Sequence, residues 1–331
     1  MAFKNPASCN GCRVFLCLLS WLACSTSHAQ NPAPFLTRDM NPLVLPYGLP
    51  LPAPARLLSR NEQSFTTSLN ISNTINVEQR DNENLHVDVE TYQLNLIQSW
   101  GFDQWMLRMQ LPFTAHNGGF LDSWIENYHD FMHLPKDIRP LYPQDDLNIG
   151  YSVDGSQLLK LDHTVTDPGD IAVQAAYQAI HETDFALSLW AGLELPTGNS
   201  DHLTGSGSVD VSFWLAMDKG FINDRWLYSN LGLLFISDGD ILPGQQKHSI
   251  VFGNLGMQFQ PWEMILLKAQ LDMHSAFYDS ATKFLDHVIQ LTFGGSVLIS
   301  DRHHIDIAVV EDIRPGTSPD VNFNISWNMF F

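Results

Sequence analysis

The chain has 331 residues, a formal net charge of −19 and 44% hydrophobic residues. An acidic balance of this size disfavours nucleic acid and anionic lipid surfaces as partners, because both carry negative charge. All four cysteines, at positions 9, 12, 17 and 24, lie near the N-terminus. A chain that loses this region therefore has no disulfides and depends on hydrogen bonding and burial.

Residues 1–29 have the pattern of a secretory signal peptide. Lys4 and Arg13 precede an apolar run, Val14–Ala23, and small residues follow before the expected cleavage site. The run is too short to form a transmembrane helix. We therefore expect export with cleavage of residues 1–29. Lipidation at Cys24 is an alternative, because the residues that end there match part of a lipobox.

Residues 30–60 are rich in proline, with seven prolines between positions 32 and 54. Such a composition is typical of an extended, semi-rigid segment and not of a domain. We predict that this segment is a periplasmic lead-in to a folded region that begins at residue 61.

From residue 61 onward, apolar and polar residues alternate in repeated segments, as expected of β-strands with two different faces. Phe185–Leu195 and Ile265–Met273 are clear examples, with apolar residues at odd positions. We count roughly twelve such segments, an even number, as in single-chain bacterial barrels. Longer connectors, the first of them near residues 77–84, alternate with shorter ones, as outer loops and periplasmic turns do. The pattern predicts a transmembrane antiparallel β-barrel over 61–331, with both of its ends in the periplasm.

One connector, residues 116–167, is too long for a structureless loop. Within it, residues 121–135 carry apolar side chains at helical spacing and end at Pro135. We predict a long, partly helical extracellular loop, which either rests on the rim of the barrel or folds into its mouth as a lid or plug.

The last eleven residues, Val321–Phe331, alternate between large apolar and amide-rich side chains and end on an aromatic residue. A strand with one face toward lipid and one toward a wet lumen has this pattern. The segment resembles the C-terminal signal of outer-membrane barrels, and Phe331 is the expected sorting residue. The alternative for this segment is a buried edge strand of a soluble sandwich.

Several motifs resemble those of a known family. They are Leu195-Pro-Thr-Gly198, Gly205-Ser-Gly207 with Asp210, Gln270-Leu-Asp-Met-His-Ser-Ala-Phe-Tyr278, Glu311-Asp312, Ile125-Glu126 with His129 and Leu134-Pro135, and Tyr47-Gly-Leu-Pro50. They are similar to an uncharacterised family of proteobacterial outer-membrane β-barrels, a domain of unknown function. Met273 stands where we expect that family to have glycine. The resemblance implies an outer-membrane barrel but carries no activity.

If odd positions face lipid, a set of titratable side chains faces the lumen near the outer mouth. They are Asp170, Glu194, Asp210, Asp272, His274 and Asp312, with Asp122, Glu126 and His129 on the helical loop above. Arg108 and Lys268 lie deeper and are the expected counter-charges. Rings of carboxylates select cations, and oxygen-rich clusters with histidine bind divalent metals. We predict a ligand-binding site here; the alternative is a structural network of ion pairs.

The sequence favours a porin-like or substrate-specific outer-membrane channel for a small solute. One alternative is an enzyme that acts on lipid or envelope components through the mouth cluster, and another is a structural or partner-binding barrel. We expect no cofactor; the alternative is a divalent cation bound by the mouth residues. The expected location is the outer membrane of a Gram-negative bacterium. The expected partners are outer-membrane lipid, the barrel-assembly machinery and a small solute, but not nucleic acid.

Overall fold

The computed structural model describes residues 32–121, 142–221, 225–319 and 321–331. The strands in chain order are β1 (Gln63–Arg80), β2 (Glu83–Gly101), β3 (Trp105–Asn117), β4 (Asn148–Val153), β5 (Ser156–Leu161), β6 (Val165–Pro168), β7 (Ile171–His181), β8 (Phe185–Leu195), β9 (Asp210–Phe221), β10 (Arg225–Ile236), β11 (Ser249–Trp262), β12 (Ile265–His274), β13 (Val288–Ser300), β14 (His303–Asp312) and β15 (Val321–Phe330). A 3-10 turn covers Lys283–Leu285.

Twelve strands close into an antiparallel barrel, which confirms the predicted fold class. Neighbouring strands in the chain pair with each other, and β1 closes the ring by pairing with β15 from Ser64↔Phe330 to Asn73↔Val321. Closure leaves no strand edge exposed along the barrel wall. Among the described residues, no helix is long and apolar enough to cross a membrane.

The two ends of the barrel differ in their connectors. At one end, here called the turn end, neighbouring strands are joined by short connections such as residues 102–104, 182–184 and 301–302, and β1 begins and β15 ends there. At the other end, the loop end, residues 196–209, 237–248 and 275–287 form longer connections. The predicted alternation of connector lengths therefore holds for these segments.

The first connector at the loop end is shorter than predicted. Residues 77–84 were expected to form a longer loop, but β1 and β2 extend to 18 and 19 residues and leave only 81–82 between them. Asp81 adopts a positive φ of 48° in this tight turn. The polar composition of the segment concealed the strands, because their ends lie beyond the apolar band and need no apolar alternation.

The connector predicted over 116–167 contains β-structure in its second half. β4 pairs with the loop-end extension of β2, β5 pairs with β4, and β6 pairs with the end of β3. These three strands extend the wall beyond the closed ring. The helix predicted over 121–135, together with Asp122, Glu126 and His129, lies outside the described residues except for Leu121. The leader, residues 1–29, also lies outside them.

The outer and inner faces of the strands have different chemistry. The strongly exposed side chains on the outside of the strands are large and apolar, as at Leu189, Leu215, Leu231 and Phe293. Aromatic residues cluster outside at the turn end, as expected of an interfacial girdle. They include Phe102, Trp105, Phe221, Trp262, Trp327 and Phe331. The inner face is mostly Ser, Thr, Asn, Gln and charged residues, which confirms the predicted strand phase.

The proline-rich segment departs most from expectation. It was predicted to lie in the periplasm, but residues 32–58 fold inside the barrel, where Phe35, Met40, Leu43 and Tyr47 are fully buried. We call residues 32–58 the plug. The physical reason is its apolar content: a segment with this many large apolar side chains buries them when a cavity is available. That content was the signal in the sequence for a buried segment.

Candidate functional site

The plug enters at the turn end, rises to the loop end and returns. Its ascending limb, residues 32–40, lies along the inner face of β12 and bonds to every second residue at a constant separation of 235 positions. These contacts join Ala33 to Lys268, Phe35 to Gln270, Thr37 to Asp272 and Asp39 to His274. The inner face of β12 therefore serves as a docking strip for an extended chain.

The descending limb, residues 48–58, contacts β7 to β10. Near the loop end, the backbone N–H of Gly48 donates to Asp210 at 2.7 Å. Lower in the lumen, Ala53 donates to the Asn230 side chain at 2.8 Å. Arg56 forms an ion pair with Asp218, with 3.3 Å between Nε and Oδ2. The plug thus covers one side of the lumen along its whole length.

The tip of the plug, residues 41–47, closes the loop end. The hydroxyl of Tyr278 donates to the carbonyl of Leu43 at 2.6 Å, and the hydroxyl of Tyr47 donates to the carbonyl of Ile241 at 3.0 Å. Arg38 donates through Nη2 to the carbonyls of Leu45 and Tyr47. Apolar side chains from the loops and from the inner face of the β2 extension pack around the tip.

The six predicted mouth residues that the structure describes are buried or half-buried on the lumen side, but they do not form one ring. Glu194 and Asp210 are partners in register on β8 and β9, and Asp170 directly precedes β7, the other neighbour of β8. Asp272 and His274 form a separate group along the ascending limb. Asp312 instead accepts backbone N–H donors from Arg314, Thr317 and Ser318 in its own loop.

Most of these acids have donors from the protein itself. Asp170 accepts from the backbone N–H groups of Gly198 and Ser206. Burial raises the pKa of Asp170, and these hydrogen bonds partly oppose that rise. Asp272 accepts from the hydroxyl of Thr37 at 2.9 Å and from Gln270. The arrangement resembles a network that anchors the plug.

A metal centre at the mouth has no support in the described part of the chain. Groups of three or more His, Cys, Asp or Glu side chains placed to hold a metal ion are absent there. His274 contacts Asp39 through Nε2 at 3.2 Å and its own neighbour's carbonyl through Nδ1, so both ring nitrogens are engaged. Ligand binding by the mouth residues stays a prediction.

The two predicted lumen cations have different surroundings. Lys268 forms an ion pair with Asp306 at 2.8 Å and donates to the carbonyl of Ala33. Arg108 is 7% exposed, and its Nε and Nη1 have no hydrogen-bond partner. Its guanidinium carbon lies 4.6 Å from the ring centroid of Trp190.

The cation–π contact with Trp190 stabilises Arg108 by less than the free-energy cost of burying its charge. A desolvated cation–π contact stabilises by about 2 kcal/mol. Removing an ion from water costs several kcal/mol even after relaxation. The described residues give Arg108 neither an ion pair nor a hydrogen bond. Arg108 is thus a buried cation without a protein counter-charge there, and sequence reasoning gave no sign of this difference from Lys268.

Among the described residues, the opposite wall of the lumen, on β15, β1 and β2, makes few hydrogen bonds to the plug, such as that from Asn324 to the carbonyl of Leu36 at 3.5 Å. We call this surface the polar wall; its inward residues are Ser68, Asn70, Ser72, Thr74, Thr91, Gln93, Asn95, Asn322, Asn324 and Ser326. Several bond to one another, as Asn324 does to Ser68. Ser72, Thr74 and both amide atoms of Asn322 are buried without hydrogen-bond partners among the described residues. Each such group costs about 1–3 kcal/mol unless water or a solute satisfies it.

A cavity of about 460 Å³ lies between the plug and the wall at the turn end. Its polar lining includes Thr66, Ser99, Arg108 and Asn328, and its apolar lining includes Leu57, Leu58, Ile97 and Leu266. A cavity of this size is within the range that holds small organic molecules. The polar wall continues from it toward the loop end.

Known structures support the barrel fold. An outer membrane channel from Pseudomonas putida F1 superposes with a TM-score of 0.57 at 13% identity, over 85% of this chain and 99% of that chain. At this identity the likeness shows the fold alone. The toluene transporters TodX of P. putida and TbuX of Ralstonia pickettii both give TM-scores of 0.40 at 10% identity, too low to carry an argument. They align over 82% and 92% of this chain and over 91% and 97% of their own.

A comparison with curated proteins finds no match. A family model described as a protein of unknown function, DUF3187, matches residues 13–331. The match covers the plug and the entire barrel, so it includes both parts of the lumen. The chain therefore belongs to the DUF3187 family of proteins of unknown function.

Proposed function

We propose that this protein is an outer-membrane channel for a small solute, with the solute path running between the plug and the polar wall. The observation that carries the proposal is the buried polar wall, which bonds little to the plug. Hydroxyl and amide groups on Ser72, Thr74 and Asn322 lack partners among the described residues, and a cavity of about 460 Å³ adjoins the wall. A wall of this kind exchanges hydrogen bonds with water or a hydrogen-bonding solute, whereas a closed structural core pairs its polar groups internally.

The plug restricts the width of the path. Unlike the polar wall, it uses its own polar groups mainly for bonds to the barrel. Its limbs bond to β12 and to β7–β10 along the lumen, and its tip packs into the apolar cap at the loop end. The space left to a solute is therefore narrow, which favours a selective channel over a wide, open pore.

Single-channel recording in a planar lipid bilayer tests the proposal. We expect the full chain to give discrete conductance steps, and Ser72→Phe to reduce them severalfold because it narrows the path above the cavity. Ile71→Phe is the matched control, since it changes the adjacent residue on the outer face of the same strand. A full chain without conductance, or equal conductance in both variants, would overturn the proposal.

A reversible cross-link distinguishes a path beside the plug from one that opens only when the plug leaves. The hydroxyl oxygens of Thr37 and Thr292 lie 3.3 Å apart, so Thr37→Cys with Thr292→Cys places two thiols within bonding reach. We expect conductance to persist after oxidation, because the path lies on the other side of the plug. Loss on oxidation and recovery on reduction would show that the plug itself must move.

Membrane placement also belongs to this proposal. The apolar outer band and the aromatic girdle at the turn end suit a bilayer, with the turn end in the periplasm. The C-terminal strand would engage the barrel-assembly machinery, and Phe331 is 65% exposed beyond its end. Replacing Phe331 with Glu should lower the outer-membrane fraction and raise the periplasmic one on cell fractionation. An unchanged distribution would count against Phe331 as the sorting residue.

A further inference from the structure

Arg108 lies at the lumen cavity with its hydrogen-bonding capacity unused. It projects inward from β3 and lines the cavity together with Ser99, its partner in register on β2. Its side chain is more than nine-tenths buried, and Nε and Nη1 have no acceptor in the part of the chain that the structure describes. A guanidinium held this way presents planar donors that match a carboxylate or a phosphate.

Three carboxylates line the cavity, and one of them, Asp301, is exposed in the turn between β13 and β14. Asp306 is paired with Lys268 at 2.8 Å, and Glu62 accepts the backbone N–H of Ser59 at 2.7 Å. Gln174, in register with Arg108 on β7, also has a buried Oε1 without a partner. The position therefore combines an unpaired positive charge with neighbouring neutral polar groups.

The lining of the cavity indicates which anion fits. Its volume of about 460 Å³ exceeds what an inorganic anion fills, and Leu57, Leu58 and Ile97 form part of its wall. A ligand that satisfies both Arg108 and these side chains has an anionic head and a small apolar body. An inorganic phosphate would leave the apolar surface uncovered.

We propose that Arg108 and the adjoining cavity form a binding site for a small organic carboxylate, with the carboxylate on the guanidinium and the apolar body against the plug. The inference rests on the proposed channel, since the solute reaches Arg108 through the lumen. It narrows the solute class from small polar molecules to monoanions with an apolar part. The site lies at the turn end, away from the acids at the loop end.

Isothermal titration calorimetry on the purified full chain in a nonionic detergent tests the site, with hexanoate as the probe. We expect hexanoate to bind and its neutral analogue hexanamide to bind weakly or not at all. Arg108→Met should weaken hexanoate binding by about tenfold or more, because a charge-assisted hydrogen-bonded pair is lost. Arg108→Lys should retain part of the binding, since it keeps the charge but not the planar donors.

Arg225→Met is the matched control. Arg225 also lies over an aromatic ring, at 5.4 Å from Phe259, but on the exposed turn-end surface. Its loss should leave hexanoate binding unchanged. Equal binding of hexanoate and hexanamide, or full binding by Arg108→Met, would overturn the proposal. Inorganic phosphate that competes as strongly as hexanoate would also overturn it, because the site would then be a general anion site.

Binding and conductance separate this inference from the proposed function. Hexanoate binding that depends on Arg108 in a protein without conductance would retain the site and remove the channel. Conductance steps in a protein that does not bind hexanoate would retain the channel and remove the carboxylate site.

Discussion

The two sides of the lumen are built from the same residue types but have opposite roles. On β12, Gln270, Asp272 and His274 bond to the plug at every second residue. On the polar wall, Ser72 and Asn322 face inward in the same way but find no partner in the protein. The difference lies in what stands opposite each wall. Polar side chains in a lumen therefore do not by themselves distinguish a docking strip from a solute path.

The largest expected difference in the free energy of unfolding is between replacement of the paired Lys268 and replacement of the unpaired Arg108. Lys268→Met leaves Asp306 buried without its counter-charge, which should lower the free energy of unfolding by about 3–5 kcal/mol. Arg108→Met removes a buried cation whose desolvation cost exceeds its cation–π contact, and should leave the free energy of unfolding unchanged or raise it by about 1–2 kcal/mol. Denaturant unfolding of both variants in the same lipid checks this. Similar losses in both would show that Arg108 has a structural partner.

Single arginine substitutions should distinguish the lipid face, the wall covered by the plug and the cavity by their cost in unfolding free energy. Leu189→Arg should cost about 2–4 kcal/mol of unfolding free energy if the site lies near the bilayer midplane. The adjacent Ser188→Arg should also be costly, by about 1–3 kcal/mol, because Ser188 is fully buried near Pro54 of the plug. Thr66→Arg should be mild, since Thr66 lines the cavity.

The same unfolding measurement in lipid checks the arginine series. Strand phase alone predicts that arginine at the inward Ser188 or Ser212 is milder than at the outward Leu189 or Phe213, because the lumen is expected to be wet. The structure restricts that expectation to positions that the plug does not cover. If Ser188→Arg is tolerated as well as Thr66→Arg, the plug does not occupy the lumen in the membrane.

The smallest expected difference in unfolding free energy is between the loss of a single hydroxyl group on each side of the lumen. Thr37→Ala removes a hydroxyl that donates to Asp272 at 2.9 Å, and should cost about 1 kcal/mol of unfolding free energy. Ser72→Ala removes a hydroxyl without a protein partner, and should stay within about 0.5 kcal/mol. Unfolding midpoints under one condition give both values. A larger loss for Ser72→Ala would mean that the polar wall carries structural hydrogen bonds.

The sequence predicted the barrel well because strand phase is a local property. Asp272 and His274 face inward as expected, since the residues between and beside them are apolar and face outward. The period of two fixes the face of every residue once the strand is recognised. The connectors followed in the same way, with two exceptions. At 81–82 the polar strand ends had the composition of a loop, and the connector 116–167 contains β4, β5 and β6.

The arrangement of the lumen was beyond sequence reasoning because it depends on contacts between distant segments. The plug has no repeating pattern of its own, and its bonds to β12 join residues 235 positions apart. Only a closed barrel brings those residues together. The acids at the mouth were therefore recognised as inward-facing, whereas their partners, and the isolation of Arg108, became visible only in three dimensions.

The path of the plug has a consequence for assembly. Both limbs emerge at the turn end, since the contacts of Ala33 lie low on β12 and Ser59 joins the start of β1 through Glu62. A segment threaded from one rim to the other would have to draw its free end through the full length of the lumen once β1 and β15 have paired. A folded-back segment can enter or leave through one rim while that seam stays closed. Barrel closure and docking of the plug are therefore topologically independent steps, in either order.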